Sequence, residues 1–442
     1  MRKYAGKILI LLFVVVNIVL WLSFLPPDNG RRDFTIKIVS EVLASSAIIL
    51  MACILFLATK ARVLEPLFGG LDRMYQAHRQ TAVVALIVVY AHTLTIPVLA
   101  DGSVGTTLGG IALTGLIALA VWALLPRIIR AFTTYGQGLV AKIPPSYHLW
   151  AKIPARYHLW RWFHRLIGLF FLVGIAHLLL VDSLIRRSPV VFGYVIAVSA
   201  AAILVYGYKE LCYSVAQKKA AYIVQDIRKL SSSALEVTLA PQQTKLSFRP
   251  GQFLFVYFDD ERFPKEPHPF TISSAPHDNH LRLAVKACGD FTHAMYAHLR
   301  AGARAFVDGG YGMFDYRSGG KQQIWIAGGI GITPFLSWMR SFRGTLEYDI
   351  DFFYNVRVPE DYLYVEEIQQ IAAQYANFRP HLSCTKQDGY LTLDNIMASG
   401  KALAECDIYF CGPLPMRETF QNQLRQKGLS TSRLHFEEFN FR

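Results

Sequence analysis

The sequence predicts a multi-domain protein: an all-α six-helix transmembrane bundle over residues 1–215, an antiparallel β-barrel over 216–316, and an α/β parallel-sheet domain over 317–442. Three observations predict it. Long apolar runs are confined to the first half, short β-like runs broken by proline and glycine follow, and strand and helix patterns then alternate to the end. A chain of 442 residues has room for two to four domains.

Crossing about 30 Å of hydrocarbon takes roughly 20 mostly apolar residues. Six segments qualify, near 8–25, 38–58, 80–100, 108–126, 163–185 and 190–208. The first resembles a signal peptide, but its apolar run continues to about Leu25 and ends in Pro26-Pro27 without a small-residue cleavage site. Residues 1–215 hold 20 Lys and Arg against 8 Asp and Glu, while 216–442 hold 25 against 24. With six spans and a cytoplasmic N-terminus, the inner loops carry 15 of those 20 cations, Lys60, Arg73 and Arg127 among them. The outer loops carry five: Arg31, Arg32, Lys37, Arg186 and Arg187. Positive loops stay inside, so both termini are expected in the cytoplasm of a multi-pass plasma-membrane protein. The basic excess belongs to these loops, and no basic face for nucleic acid is evident.

Six cysteines show neither CxxC nor zinc spacing and suggest no disulfide framework. Ala141–Trp150 and Ala151–Trp160 match at eight of ten positions. Two copies are too few for a solenoid, and a lengthened loop or surface helix is the plain account.

Ionisable residues inside spans are costly and usually functional. The third span carries His78 and His92, the fifth His164 and His177. Gaps of 14 and 13 residues correspond to roughly 20 Å of helix. His78 can then meet His164 near one bilayer face, and His92 can meet His177 near the other. Two such pairs suit two stacked haems, each iron bound by imidazoles from both sides; structural histidines are the alternative. A 13-residue gap turns the two ligands roughly 140° apart on an ideal helix, so a bend at Gly168 or Gly174 is expected. Phe170 lies midway, either between the haems or as an ordinary aromatic. Arg161 and Arg165 flank His164 as propionate partners or topology anchors.

In the barrel region, His268, Pro269, Phe270, Thr271, Ile272, Ser273 and Ser274 follow a strand and offer an aromatic surface with hydroxyls and backbone donors. Lys286, Gly289, Asp290 and Thr292 then form a glycine turn suited to a pyrophosphate. In the α/β region a strand runs into Gly328, Gly329, Ile330, Gly331, Ile332, Thr333 and Pro334. Thr333 suits a helix N-cap and Pro334 the first helical turn, and the glycines let a phosphate approach backbone N–H groups. This is not GxGxxG, and a bare strand–turn–helix is the alternative. Arg357, after the next strand, is placed for an adenosine 2′-phosphate or is a surface arginine. Cys411, Gly412 and Pro413 end a later strand, where open α/β sheets bind ligands.

Together these residues resemble the NADPH oxidase and ferric reductase superfamily over almost the whole chain, most closely its compact bacterial members. The resemblance implies that His78 and His164 hold an inner haem b, and His92 and His177 an outer one. It implies that His268 to Ser274 with Gly289 to Thr292 hold FAD, and that Gly328 to Pro334 with Cys411 to Pro413 hold NADPH, or NADH. Phe441 matches the family's C-terminal aromatic over the flavin ring. The implied activity moves electrons from cytosolic NADPH through FAD and the haems to dioxygen outside, forming superoxide. A ferric or cupric metalloreductase using the same chain is the runner-up, and a non-enzymatic haem cytochrome with a docking module is the alternative of another class. No EF-hand pattern occurs, and no obligate protein activator is expected.

Overall fold

The computed structural model describes residues 4–28, 30, 33–95, 103–135, 157–216, 220–264 and 266–437. The chain forms two compact units, one of residues 1–68 and 73–211, the other of 69–72 and 212–442.

The first unit is helical. Its long helices are α1 (Ala5–Ser23), α2 (Phe34–Ala58), α3 (Leu71–Leu94), α4 (Val104–Tyr135), α5 (Tyr157–Leu180) and α6 (Pro189–Ala216). Among the described residues five of them are long and apolar enough to cross a membrane; α3 is not counted with them. The third of the six expected spans is described only in part. The third helix starts at Leu71 rather than near 80, so Asp72, Arg73, Gln76, His78, Arg79 and Gln80 fill its first turns. The rest of the expected segment, 96–100, lies outside the described residues. So do 141–156 of the duplicated segment, whose last four residues begin the first turn of α5.

Hydrophobic side chains such as Ile8, Leu11, Leu22, Ile87 and Leu204 face outward, each more than half exposed. The interior packs apolar side chains such as Ile49, Phe171 and Val195, and it also holds hydrogen-bonded polar groups. Asn17 Nδ2 donates to Ser45 Oγ at 2.9 Å and Ser46 Oγ at 3.1 Å, and Trp21 Nε1 donates to Ser45 at 3.0 Å. The buried Glu41 carboxylate accepts the N–H groups of Leu184 and Ile185, both at 2.6 Å. Apolar surface outside and small or hydrogen-bonded polar groups inside is the packing rule of helices in lipid. Small residues also bring α4 onto α5. A Cβ at Gly105 would lie 2.7 Å from the backbone of Val181, and one at Gly115 would lie 2.1 Å from the Phe170 ring. Phe170 therefore seats on Gly115. The α5 helix runs without a break past Gly168 and Gly174.

The second unit holds two sheets. Strands β1 (Ala221–Lys229), β2 (Ala234–Pro241), β3 (Phe253–Phe258), β4 (His268–Thr271), β5 (Leu281–Lys286) and β6 (Arg304–Tyr311) form an antiparallel sheet in the order β4-β3-β6-β1-β2-β5. The sheet curls around Tyr222, Val237, Leu254, Val256, Leu283 and Met295, the last from α7 (Asp290–His298). Strands β7 (Gln322–Gly328), β8 (Asp349–Val356), β9 (Phe378–Cys384), β10 (Asp407–Cys411) and β11 (Leu434–Phe436) form a parallel sheet in the order β11-β10-β7-β8-β9. Helix α8 (Thr333–Arg340) packs Phe335 and Trp338 against Trp325, Phe352 and Tyr409.

Candidate functional site

Strand order locates the first site. The chain passes from β7 to β8 and β9 on one side, then returns to β10 and β11 on the other. The direction in which strands are added therefore reverses between β7 and β10, and open parallel sheets bind ligands at the carboxyl ends of such a switch point. The register pairs Ala327 with Cys411 there, which sets the loop Gly328–Pro334 against Cys411–Pro413. Their fit is bare backbone on bare backbone. A Cβ at Gly328 would lie 2.7 Å from Pro413 Cδ, and one at Gly331 would lie 2.2 Å from Cys411 O. Gly412 is likewise 3.1 Å from Gly328. Gly329 has φ +55° and faces open space.

The sequence places Thr333 at an N-cap, and the structure differs. Residues 329–332 form a 3-10 turn, Thr333 is already helical, and its hydroxyl donates to Ile330 O at 3.2 Å. Pro334 does lie in the first turn, and α8 has no side-chain cap. Thr333 N–H already bonds Ile330 O and Pro334 has none, so the backbone N–H groups of the preceding glycine turn are the ones nearest the switch point. Burial pushes the Cys411 thiol far up, and Glu437 adds to the shift, so this sulfur is a neutral wall at physiological pH. Arg357 is exposed at the end of β8, and its carbonyl accepts from Lys386 N at 3.2 Å.

The barrel motifs come to the same side of the unit. His268 stacks on Phe291 at 3.7 Å between ring centres. Pro269, Phe270 and Thr271 continue β4, paired with Phe255, Leu254 and Phe253. The hydroxyls of Ser273 and Ser274 are committed to backbone: Ser273 donates to Arg282 O at 2.9 Å, and Ser274 accepts from Arg282 N at 3.1 Å. Thr292 accepts from Gly289 N at 2.9 Å and from Cys288 N at 3.0 Å, closing the start of α7 beside the exposed Asp290. A Cβ at Gly289 would meet nothing. Lys286 is not a free cation: its Nζ pairs with Asp361 at 3.0 Å.

That pair belongs to a seam between the sheets which the sequence did not reveal. Ser337 donates to Ser274 O at 2.8 Å, and Arg340 donates to Ser273 O at 2.9 Å. Arg340 also holds Glu367 at 2.6 Å and lies 3.6 Å from the buried Glu236, which accepts from Tyr364 Oη at 2.7 Å. The helix that opens at the glycine loop is therefore bolted to the segment after β4. Gly251 (φ +88°) belongs to the same seam, since a Cβ there would lie 2.3 Å from Phe314 O and from Trp338 Nε1. Glu437 was also missed. β11 pairs with β10 in parallel, which carries Glu437 to Cys411 and to Gly312. Phe441 lies outside the described residues.

In the first unit the four histidines form the second candidate site. His78 and His164 stand 6.2 Å apart between ring centres, inclined at 63°. His92 interacts electrostatically with His177. Three of the rings anchor Nδ1 on a carbonyl: His78 on Ile54 O at 3.2 Å, His92 on Ser40 O at 2.9 Å and His177 on Gly105 O at 2.8 Å. Gly109 presses against His177, with a Cβ position 2.8 Å from Nδ1. His164 stacks on Trp160 at 5.1 Å. Arg165 pairs with Glu210 at 2.5 Å. No group of three or more His, Cys, Asp or Glu gathers among the described residues, so pairs are what this site offers.

A curled antiparallel sheet joined to a parallel sheet with a glycine-rich switch point defines the class: a flavin- and nicotinamide-nucleotide-binding electron-transfer reductase. Comparison with known proteins agrees. Residues 219–318 match an FAD-binding domain and 325–422 an oxidoreductase NAD-binding domain. The chain is 28% identical over 217 residues to the glycine betaine monooxygenase reductase subunit of Pseudomonas aeruginosa, covering 46% of this chain and 58% of that protein. It is 28% identical over 228 residues to the 2-halobenzoate 1,2-dioxygenase electron transfer component of Burkholderia cepacia, covering 48% and 66%. Among solved structures, a ferredoxin NADP+ reductase from Neisseria gonorrhoeae with bound FAD and NADP aligns at TM-score 0.44 and 16% identity, covering 49% of this chain and 97% of that one. The chain thus spans little more than half the length of the first curated relatives. The second unit therefore carries an FAD-binding domain followed by an oxidoreductase NAD-binding domain.

Proposed function

We propose that this oxidoreductase is a transmembrane NAD(P)H oxidase, taking electrons from cytosolic NADPH by way of FAD and two b haems to dioxygen on the outer face. The observation that carries the reading is the paired histidines. An imidazole nitrogen sits about 2 Å from a metal it binds and about 1.1 Å from its own ring centre, so two on opposite sides of one iron put their centres roughly 6 Å apart. The 6.2 Å of His78 and His164 fits. Anchoring Nδ1 on a carbonyl leaves Nε2 as the ligating atom, and three of the four rings are so anchored. His78 with His164 and His92 with His177 would hold the two haems.

In the second unit, the backbone N–H groups of the glycine turn Gly329 to Ile332 would face the nucleotide phosphates, with Arg357 at the adenosine end. His268 to Thr271 and Gly289 would border the flavin. FAD, when bound, accepts an electron pair as hydride and releases single electrons, which is what one-electron haems require. Cys411 and Glu437 shape the place where nicotinamide and flavin meet, and the seam at Arg340 fixes the approach of one sheet to the other.

The test is reduction of cytochrome c by purified, FAD-supplemented protein with NADPH in air, with and without superoxide dismutase. Strong inhibition by dismutase is expected. Dismutase-insensitive reduction favours a metalloreductase. The relatives' names favour a further reading, a reductase serving a separate oxygenase; a preparation with flavin but no haem would move the conclusion there.

A further inference from the structure

The four ligand candidates are not held alike. Resting on the haem reading above, we propose that Ser40 positions His92, and that this makes the His92/His177 haem the lower in potential of the two.

The geometry around His92 admits one proton arrangement that satisfies every contact. Its Nδ1 lies 2.9 Å from both the carbonyl oxygen and the hydroxyl of Ser40, and that hydroxyl lies 3.4 Å from the His92 carbonyl. Nδ1–H donates to the two oxygens, and the hydroxyl proton turns to His92 O. Ser40 is 3% exposed, so water does not compete. His177, the other member of the pair, donates Nδ1–H to Gly105 O at 2.8 Å and has Gly109 against its ring.

The other pair differs. His78 reaches Ile54 O at 3.2 Å, the longest of the three anchors to a carbonyl. His164 Nδ1 is buried and has no hydrogen-bond partner among the described residues, and its ring stacks on Trp160. A hydrogen bond from the distal ring nitrogen makes the ligating nitrogen more basic. A more basic ligand favours the ferric over the ferrous ion and lowers the potential. This raises the His78/His164 site relative to the His92/His177 site. The stronger reductant then stands toward the C-terminal end of α3, which suits an acceptor as hard to reduce by one electron as dioxygen.

The experiment is an anaerobic potentiometric titration of the purified, haem-loaded full chain, followed in the Soret and α bands without NADPH. The wild type should show two resolved one-electron steps. In Ser40→Ala the lower step should move upward while the upper step stays, and Ser40→Thr, which keeps the hydroxyl, should titrate like the wild type. Selective loss of one haem in Ser40→Ala, with both retained in Ser40→Thr, would equally support the positioning role. A single unresolved wild-type step, an unmoved lower step, or a shift of the upper step in a variant that keeps both haems would overturn it. A wild-type chain that takes up no haem sinks the haem reading itself and is told apart at the first spectrum.

Discussion

A methyl group on Gly331 has nowhere to go. Its nearest neighbours would be Cys411 O at 2.2 Å, Cys411 C at 2.6 Å and Gly412 N at 2.9 Å. All three are backbone atoms at the end of a paired strand, which cannot swing aside as a side-chain tip would. Gly331→Ala should therefore destabilise the second unit by about 2 kcal/mol, the scale of overpacking, and raise KM for NADPH several-fold. Denaturation followed by flavin fluorescence, together with steady-state kinetics, checks both. The sequence marked this glycine, but as a point of phosphate approach. That it also seats one loop on another could not be read, because the second loop comes 80 residues later. Sequence separation also hid Ser40, which reaches His92 across 52 residues.

At the scale of elements, the opposite edge of the parallel sheet shows how strand starts are held. Asp351 in β8 is 2% exposed and accepts from His381 at 2.8 Å and from Arg379 at 2.9 and 3.0 Å, with Lys401 at 3.1 Å. Burial opposes ionisation, but the hydrogen bonds from His381, Arg379 and Lys401 outweigh it and hold the carboxyl far below its usual range. A carboxyl depressed in the folded state stabilises fully above its unfolded value, near 4, and loses that contribution as pH falls below it. Asp351 thus adds no slope between about pH 5 and 8. Asp351→Asn, which takes the carboxylate from the largely buried Lys401 and from the more exposed Arg379 and His381, should cost about 1.5 kcal/mol at neutral pH and flatten the acid limb of the stability curve. Unfolding midpoints of the full chain across pH measure both; an unchanged acid limb would assign that limb to other carboxylates. Elements of this kind were legible as strands because periodicity is local. The N-cap at Thr333 was misread because a 3-10 turn precedes it, and the polar first turns of α3, before residue 80, were not read as part of the third helix. The seam through Arg340 joins residues 67 apart, which no periodicity reports.

Across the whole molecule the division of labour was plain in composition alone: apolar helices first, two nucleotide-binding folds after. The claim composition cannot make is that charge crosses a bilayer, and that claim has its own physical signature. Moving one elementary charge through the membrane potential is worth about 2.3 kcal/mol per 100 mV. An inside-negative potential pushes electrons outward, so it should speed the proposed reaction, and the reverse polarity should slow it. A factor of ten corresponds to about 1.4 kcal/mol, so 100 mV acting on part of a charge predicts a several-fold change. The measurement uses liposomes with NADPH enclosed, cytochrome c outside, and potassium diffusion potentials of either sign set with valinomycin. A rate that rises inside-negative and falls inside-positive shows that electrons enter on one face and leave on the other. No reduction outside, with reduction restored once cytochrome c is enclosed with the NADPH, shows that they enter and leave on the same face, as a reductase delivering to a soluble partner would require, and the helical unit then serves as an anchor rather than a conduit.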